Sequence, residues 1–232
     1  MVKAQGLRLQ ERFGADALEK RCNGGITMYN VITISRQFGS GGRELGRRLA
    51  EELGFAYYDD EIIAEISKRT QLSEEYVQQI VEHRPVTLMP ITIGHSFYPV
   101  QHPLMEQSQN IYQEQARIIT EMSEKSPCVI VGCCGDYILR EKKLLRLFVY
   151  ADMNSKVERC RLKAPENEHL TVKELRKQIT KVEKNRAKYY EFYTGRKWGD
   201  KLNYDLMVNT TSTDIKLIVD VIARMFDKNV SE

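Results

Sequence analysis

Three glycines within four positions, Gly39, Gly41 and Gly42, surround Ser40 and lie between two arginines, Arg36 and Arg43. Just upstream stands Val31-Ile-Thr-Ile-Ser35, short, apolar and β-branched, as a buried strand would be. Just downstream, Leu45, Leu49 and Leu53 recur every four residues, which is one face of a helix. A strand, a glycine turn and a helix in that order gather backbone N–H groups at the positive end of the helix. That geometry binds phosphate. The full pattern G-x-x-x-x-G-K-[ST] is absent. With Gly41 as the last loop glycine, Gly42 takes the lysine position and Arg36 takes the first glycine. Glycines between a strand and a helix also make a plain tight connection, and the loop alone leaves both readings open.

Several other residues have types suited to phosphate chemistry. Arg36 and Arg43 flank the loop and could supply the charge of the absent lysine, or be solvated surface arginines. Glu44 falls in the first helical turn, where a carboxylate meets the helix dipole favourably or could ligate a metal. Asp59 follows the short apolar run Phe55–Tyr58, so it sits at a strand end. There it could serve an acceptor or cap the next helix. Lys184 and Arg186 lie on a long basic helix, as a solvated face or as a closing lid over phosphates. Arg159 and Arg196 are weaker candidates of the same type. Tyr189, Tyr190, Tyr193 and Trp198 suit packing of that helix against the body more than stacking on a base. The four histidines have no clustered spacing and take no role.

Composition narrows the class. At 232 residues, the chain is long enough for one well-packed domain. A formal charge of +3 fits an anionic small ligand, and no single-sign tract argues for nucleic acid. No apolar run reaches about 18 residues and none opens the chain, so neither a membrane span nor a secretion signal is expected. The five cysteines lack paired C-x-x-C spacing. They read as thiols of a reducing cytoplasm, with no metal site.

The elements that must position these groups follow in order. Residues 1–27 show no period, and Asn23-Gly24-Gly25 breaks any helix, so they read as a poorly ordered extension. Strands are expected at Val31–Ser35, Phe55–Tyr58, Pro127–Gly132, Leu144–Tyr150 and Asp205–Val208. Asp59-Asp60, Ser73, Asn154 or Ser155, and Thr171 are expected helix caps. Further helices span about Glu106 to Lys125 and Asp214 to Asp227. Residues 84–105 carry four prolines and read as a mobile flap. Five short buried strands separated by helices make an α/β fold with a mostly parallel sheet. Its ligands bind at the carboxyl ends of the strands.

On these residues the chain resembles the nucleoside monophosphate kinases, and more narrowly the bacterial cytidylate kinase-like family. The narrower family's loop stands here as Ser35 to Gly42, its Tyr-Asp-x-Glu-Ile-Ile element as Tyr58 to Ile63, and its Pro-Cys-Val-Ile-Val-Gly strand as Pro127 to Gly132. Its Tyr-Tyr-x-x-Tyr-Thr-Gly-x-x-Trp-Gly-Asp segment is Tyr189 to Asp200, and its Asn-Tyr-Asp-Leu strand is Asn203 to Leu206. Three positions depart from true cytidylate kinases: Gly42 for the loop lysine, Glu44 for a threonine near magnesium, and Cys133 for an arginine that grips the monophosphate.

The resemblance implies a P-loop NTPase-like three-layer sandwich, with a five-stranded mostly parallel sheet and a helical lid. The single domain would span 28–228, with 155–200 as a basic lid region. It implies an ATP- and Mg2+-dependent kinase that transfers the γ-phosphate to a nucleotide or other small acceptor, cytidylate by default. Arg36, Gly39, Ser40, Gly41, Gly42, Arg43 and Glu44 would bind the donor and Asp59 the acceptor. Arg43, Lys184 and Arg186 would neutralise the transferring group. The alternative is a nucleotide- or anion-binding module that has lost catalysis. The implied partner is a small nucleotide, with no nucleic acid and no membrane.

Overall fold

The computed structural model describes residues 29–82, 92–93, 96–97, 103–164 and 170–226. The extension expected over residues 1–27 lies outside the described residues. So does the flap over 84–105, apart from a two-residue antiparallel pairing and the start of a helix.

The elements run β1 (Val31–Arg36), α1 (Gly42–Leu53), β2 (Ala56–Tyr58), α2 (Asp60–Thr70), α3 (Glu74–Glu82), β3 (Thr92–Ile93) and β4 (Ser96–Phe97). They continue with α4 (Pro103–Lys125), β5 (Cys128–Val131), α5 (Gly135–Ile138), β6 (Leu144–Tyr150), α6 (Met153–Lys163), α7 (Val172–Thr194), a 3-10 turn (Lys201–Asn203), β7 (Leu206–Asn209) and α8 (Ile215–Arg224). The main sheet has five strands in the order β2-β5-β1-β6-β7, all parallel. β1 pairs Val31 with both Cys128 and Leu144, so it lies in the middle of the sheet.

Alternation along the strands builds a core on each face. Ile32, Ile34, Val129, Val131, Leu145 and Leu147 face α1 and α8 and pack with Leu45, Leu49, Val219 and Ile222. Val31, Cys128, Ile130 and Leu144 face the other way, onto Ile62 and Ile66 of α2 and Ile111, Ile118 and Ile119 of α4. Helices on both faces of a parallel sheet make three layers, an α/β P-loop NTPase-like fold.

Strand bounds differ from expectation by a residue at β1, β2, β5 and β7, and three helix starts differ in detail for local reasons. α4 begins at Pro103 rather than near Glu106; proline is tolerated in a first turn, whose N–H has no partner there. α6 is capped by Asp152, which accepts from the Ser155 amide at 2.7 Å, rather than by Asn154 or Ser155. Asp59 stands at the N-cap of α2 but its side chain makes no capping hydrogen bond. That carboxylate is engaged elsewhere. By contrast, Thr171 and Glu174 form the reciprocal capping box that starts α7.

Candidate phosphate-binding site

The site assembles at the carboxyl ends of three neighbouring strands. β1 ends in Arg36, β2 leads into Asp59, and β5, which lies between them, runs into Gly132.

After β1 the chain turns through Gly39 (φ +73°) and Gly41 (φ +82°), left-handed conformations that cost a side-chain-bearing residue energy. Space also demands glycine. A Cβ on Gly39 would lie 3.0 Å from Lys156 O, and one on Gly41 would lie 2.8 Å from Ile215 Cδ1. Gly41 is the N-cap of α1 and no side chain caps the first turn. The leading amides of α1 are therefore left for a ligand or water. Ser40 is fully buried and its hydroxyl donates to Gln37 O at 2.9 Å, while its carbonyl accepts from Thr210 Oγ1 at 2.6 Å. The Ser40 side chain thus braces the loop from behind.

The two flanking arginines converge on Asp59. Arg43 Nε lies 2.6 Å from Asp59 Oδ2, and its Nη2 donates to Asp60 at 2.7 Å. Arg36 Nη2 lies 3.5 Å from Asp59 Oδ1. Burial pushes the Asp59 carboxyl above the usual carboxylate range, against the pull of Arg36 and Arg43. From α7, Arg186 reaches the loop and donates to the Arg36 carbonyl at 3.2 Å.

These groups line a cleft that is partly open to solvent. Arg36, Arg43, Asp59, Arg186, Cys133 and Trp198 are among its walls. A second, more open depression is also lined by Arg43 and Asp59, together with Glu44, Arg47 and Lys163.

The structure therefore brings together Arg36, Arg43, Asp59 and Arg186. It does not bring in Lys184, which is exposed and lines neither cleft. Arg159 is committed to Thr210, donating to its hydroxyl at 3.1 Å and also to its carbonyl. Arg196 lies over the Tyr137 ring. Tyr189 and Tyr190 are buried, and Tyr193 stacks on Tyr112 with centroids 4.0 Å apart. Glu44 is held by Arg48 at 3.0 Å and faces Lys163 at 3.8 Å. A carboxylate already paired with two cations does not fit a protein-held magnesium site. Among the described residues no cluster of three or more His, Cys, Asp or Glu converges.

Two features were not legible beforehand. Lys156 is buried beside the loop, where its Nζ bonds Glu183 at 2.8 Å and Gln37 at 3.2 Å. In a basic helix it looked like one more solvated lysine. The turn after β5 is the other. Cys133 and Cys134 both have φ +54°, consecutive left-handed non-glycine residues. Gln115 Nε2 holds the Cys133 carbonyl at 2.8 Å, and Tyr189 in turn donates to Gln115 at 3.2 Å. Burial pushes the Cys134 thiol well up, which makes it a packing residue rather than a nucleophile.

The fold and this glycine turn are those of a kinase-like P-loop fold. The model of the cytidylate kinase-like family matches residues 31–212, and the chain belongs to that family. The chain is similar to a crystal structure of an uncharacterized protein from Eubacterium ventriosum, at 25% identity, covering 85% of this chain and 98% of that one, with a TM-score of 0.62. Shikimate kinase from Bacteroides thetaiotaomicron shares the fold at 14% identity, covering 84% of this chain and 97% of that one, with a TM-score of 0.51. Shikimate kinase from Acinetobacter baumannii, solved with shikimate, does so at 13% identity, with coverages of 89% and 97% and a TM-score of 0.51. No curated protein matches the sequence. No described helix is long and apolar enough to cross a membrane.

Proposed function

We propose that the chain is an ATP-dependent phosphotransferase of nucleoside monophosphate kinase type, acting on a small acceptor. One observation carries this reading: an uncapped, glycine-bounded helix start stands beside a cleft in which Arg36 and Arg43 meet a single buried carboxylate and Arg186 reaches in from α7. Phosphoryl transfer is mainly positioning and charge neutralisation, and these groups suit both. The loop amides would hold the donor's phosphates. Arg36, Arg43 and Arg186 would neutralise charge on the transferring group. Asp59 would accept the hydrogen bond of the acceptor's reacting oxygen and orient it. Magnesium would enter with the nucleotide's phosphates, since Glu44 is occupied, and no step here is routed through it.

The acceptor pocket lacks the arginine that cytidylate kinases place at Cys133. Cytidylate is therefore one acceptor among several to test. A coupled assay with ATP across nucleoside monophosphates and small hydroxy acids should show turnover with at least one. The second reading is a binding module without turnover. It is favoured by Gly42, which leaves the loop without its lysine, and by the pairing of Glu44. ATP binding by calorimetry with no turnover on any acceptor would select it.

A further inference from the structure

The absent loop lysine and the unexpected Arg36 are two halves of one exchange. A Cβ built on Gly42 would lie 2.5 Å from Arg36 Cβ and 3.1 Å from Arg36 Cγ. No two non-bonded carbons approach so closely, so positions 36 and 42 cannot both carry an unmoved side chain. The side chain of Arg36 leaves the backbone where a residue-42 side chain would begin. From there it passes over the end of β5. A Cβ on Gly132 would lie 1.8 Å from Arg36 Nη1. Arg36 thus leaves no room for a side chain at position 42 and, in its observed rotamer, none at 132, and the strand order β2-β5-β1 explains why: Gly132 lies on the line from Arg36 to Asp59.

The arginine is also incompletely paired. Its side chain is 15% exposed, and among the described residues its sole ion pair is the 3.5 Å contact with Asp59 and its buried Nε has no hydrogen-bond partner. A guanidinium removed from water with so few acceptors is under-satisfied until an anion joins it.

We propose that the loop's phosphate-binding cation has moved from position 42 to position 36, so that Arg36 holds the donor phosphates and Gly42 is the steric condition for it. This rests on the phosphotransferase reading above. Arg36 approaches from the end of β1 rather than the start of α1, and its planar fork can grip two phosphate oxygens where lysine offers a point charge.

The test is a swap on the full chain, read by calorimetric titration with ATP and by thermal melting. Arg36→Gly should weaken ATP binding roughly 10- to 100-fold. Arg36→Lys should keep more affinity than Arg36→Gly. Gly42→Lys alone should lower the melting temperature, because of the clash. Arg36→Gly combined with Gly42→Lys should recover the melting temperature and bring ATP binding to within about tenfold of the parent. If Gly42→Lys does not fold, the two Arg36 variants still decide the matter. Unchanged ATP binding in Arg36→Gly overturns the proposal and leaves the phosphotransferase reading standing, as does a double variant no better than Arg36→Gly. A parent chain that binds no ATP removes both.

Discussion

Two sets of cations border the β1–α1 loop, and they are paired in opposite ways. In the cleft, Arg36 and Arg43 share the Asp59 carboxylate, Arg43 pairs also with the exposed Asp60, and Arg43 remains half-exposed. Behind the loop, Lys156 has a carboxylate of its own in Glu183 and a further acceptor in Gln37, and its side chain is only 5% exposed. The first arrangement leaves a buried guanidinium donor, Arg36 Nε, without a partner among the described residues. The second pairs its ammonium with both acceptors. A region built to hold itself together satisfies its donors internally; a region built to receive an anion leaves a cationic donor over. The same loop residues thus touch a structural ion pair on one side and a receptive one on the other.

Breaking the balanced pair should have the largest effect on stability. Glu183→Gln leaves the buried Lys156 ammonium with only neutral acceptors and should cost about 3 kcal/mol, measured by urea denaturation. A cost below about 1 kcal/mol would mean that Lys156 is hydrated and the two cation sets do not differ. In the cleft the sign reverses for ligand binding. Asp59→Asn removes the anion that competes with phosphate for Arg36 and Arg43. ATP affinity should rise roughly two- to fivefold, while turnover of any acceptor found should be lost. A fall in ATP affinity would show that Asp59 supports the arginines rather than occupying them.

A second buried carboxylate sharpens the contrast by pH. Asp136 lies beneath the cleft, where Tyr190 donates to its Oδ2 at 2.6 Å and its Oδ1 has no partner among the described residues. Burial raises its pKa, although the Tyr190 hydrogen bond opposes the shift. A carboxyl raised in this way binds its proton more tightly folded than unfolded. Its ionised form therefore subtracts stability, and the loss grows as pH rises from about 4 through the raised value. Asp136→Asn should gain stability relative to the parent across that window and hold the gain at neutral pH. Parallel stability curves would contradict this. The smallest effect is expected at Cys133. Gly relieves its left-handed backbone but loosens the unfolded chain, so Cys133→Gly should change stability by less than about 1 kcal/mol.

Much of the architecture was readable because strand and helix periods differ so plainly here. Leu144–Tyr150 was expected at its observed bounds, and Thr171 and Gly195 mark the ends of α7 through cap chemistry alone. The glycine loop and Asp59 were legible as types at strand ends. What was not legible is which partner each charge takes. Lys184 and Arg186 lie two residues apart on one helix, yet only Arg186 turns to the loop. Asp59 occupies a cap position while its carboxylate serves two arginines. Lys156 is buried because α7 lies over α6, a contact that no local pattern announces. Gly132 looked like an ordinary strand end until the strand order set it beneath Arg36.

The most direct measurement is an ATP titration of isotope-labelled protein followed by backbone amide resonances. The account predicts that Gly39, Gly41 and Gly42 shift together with Arg36, saturably and at one affinity. Shifts confined to residues outside the β1–α1 loop, with these four unmoved at saturation, would contradict it.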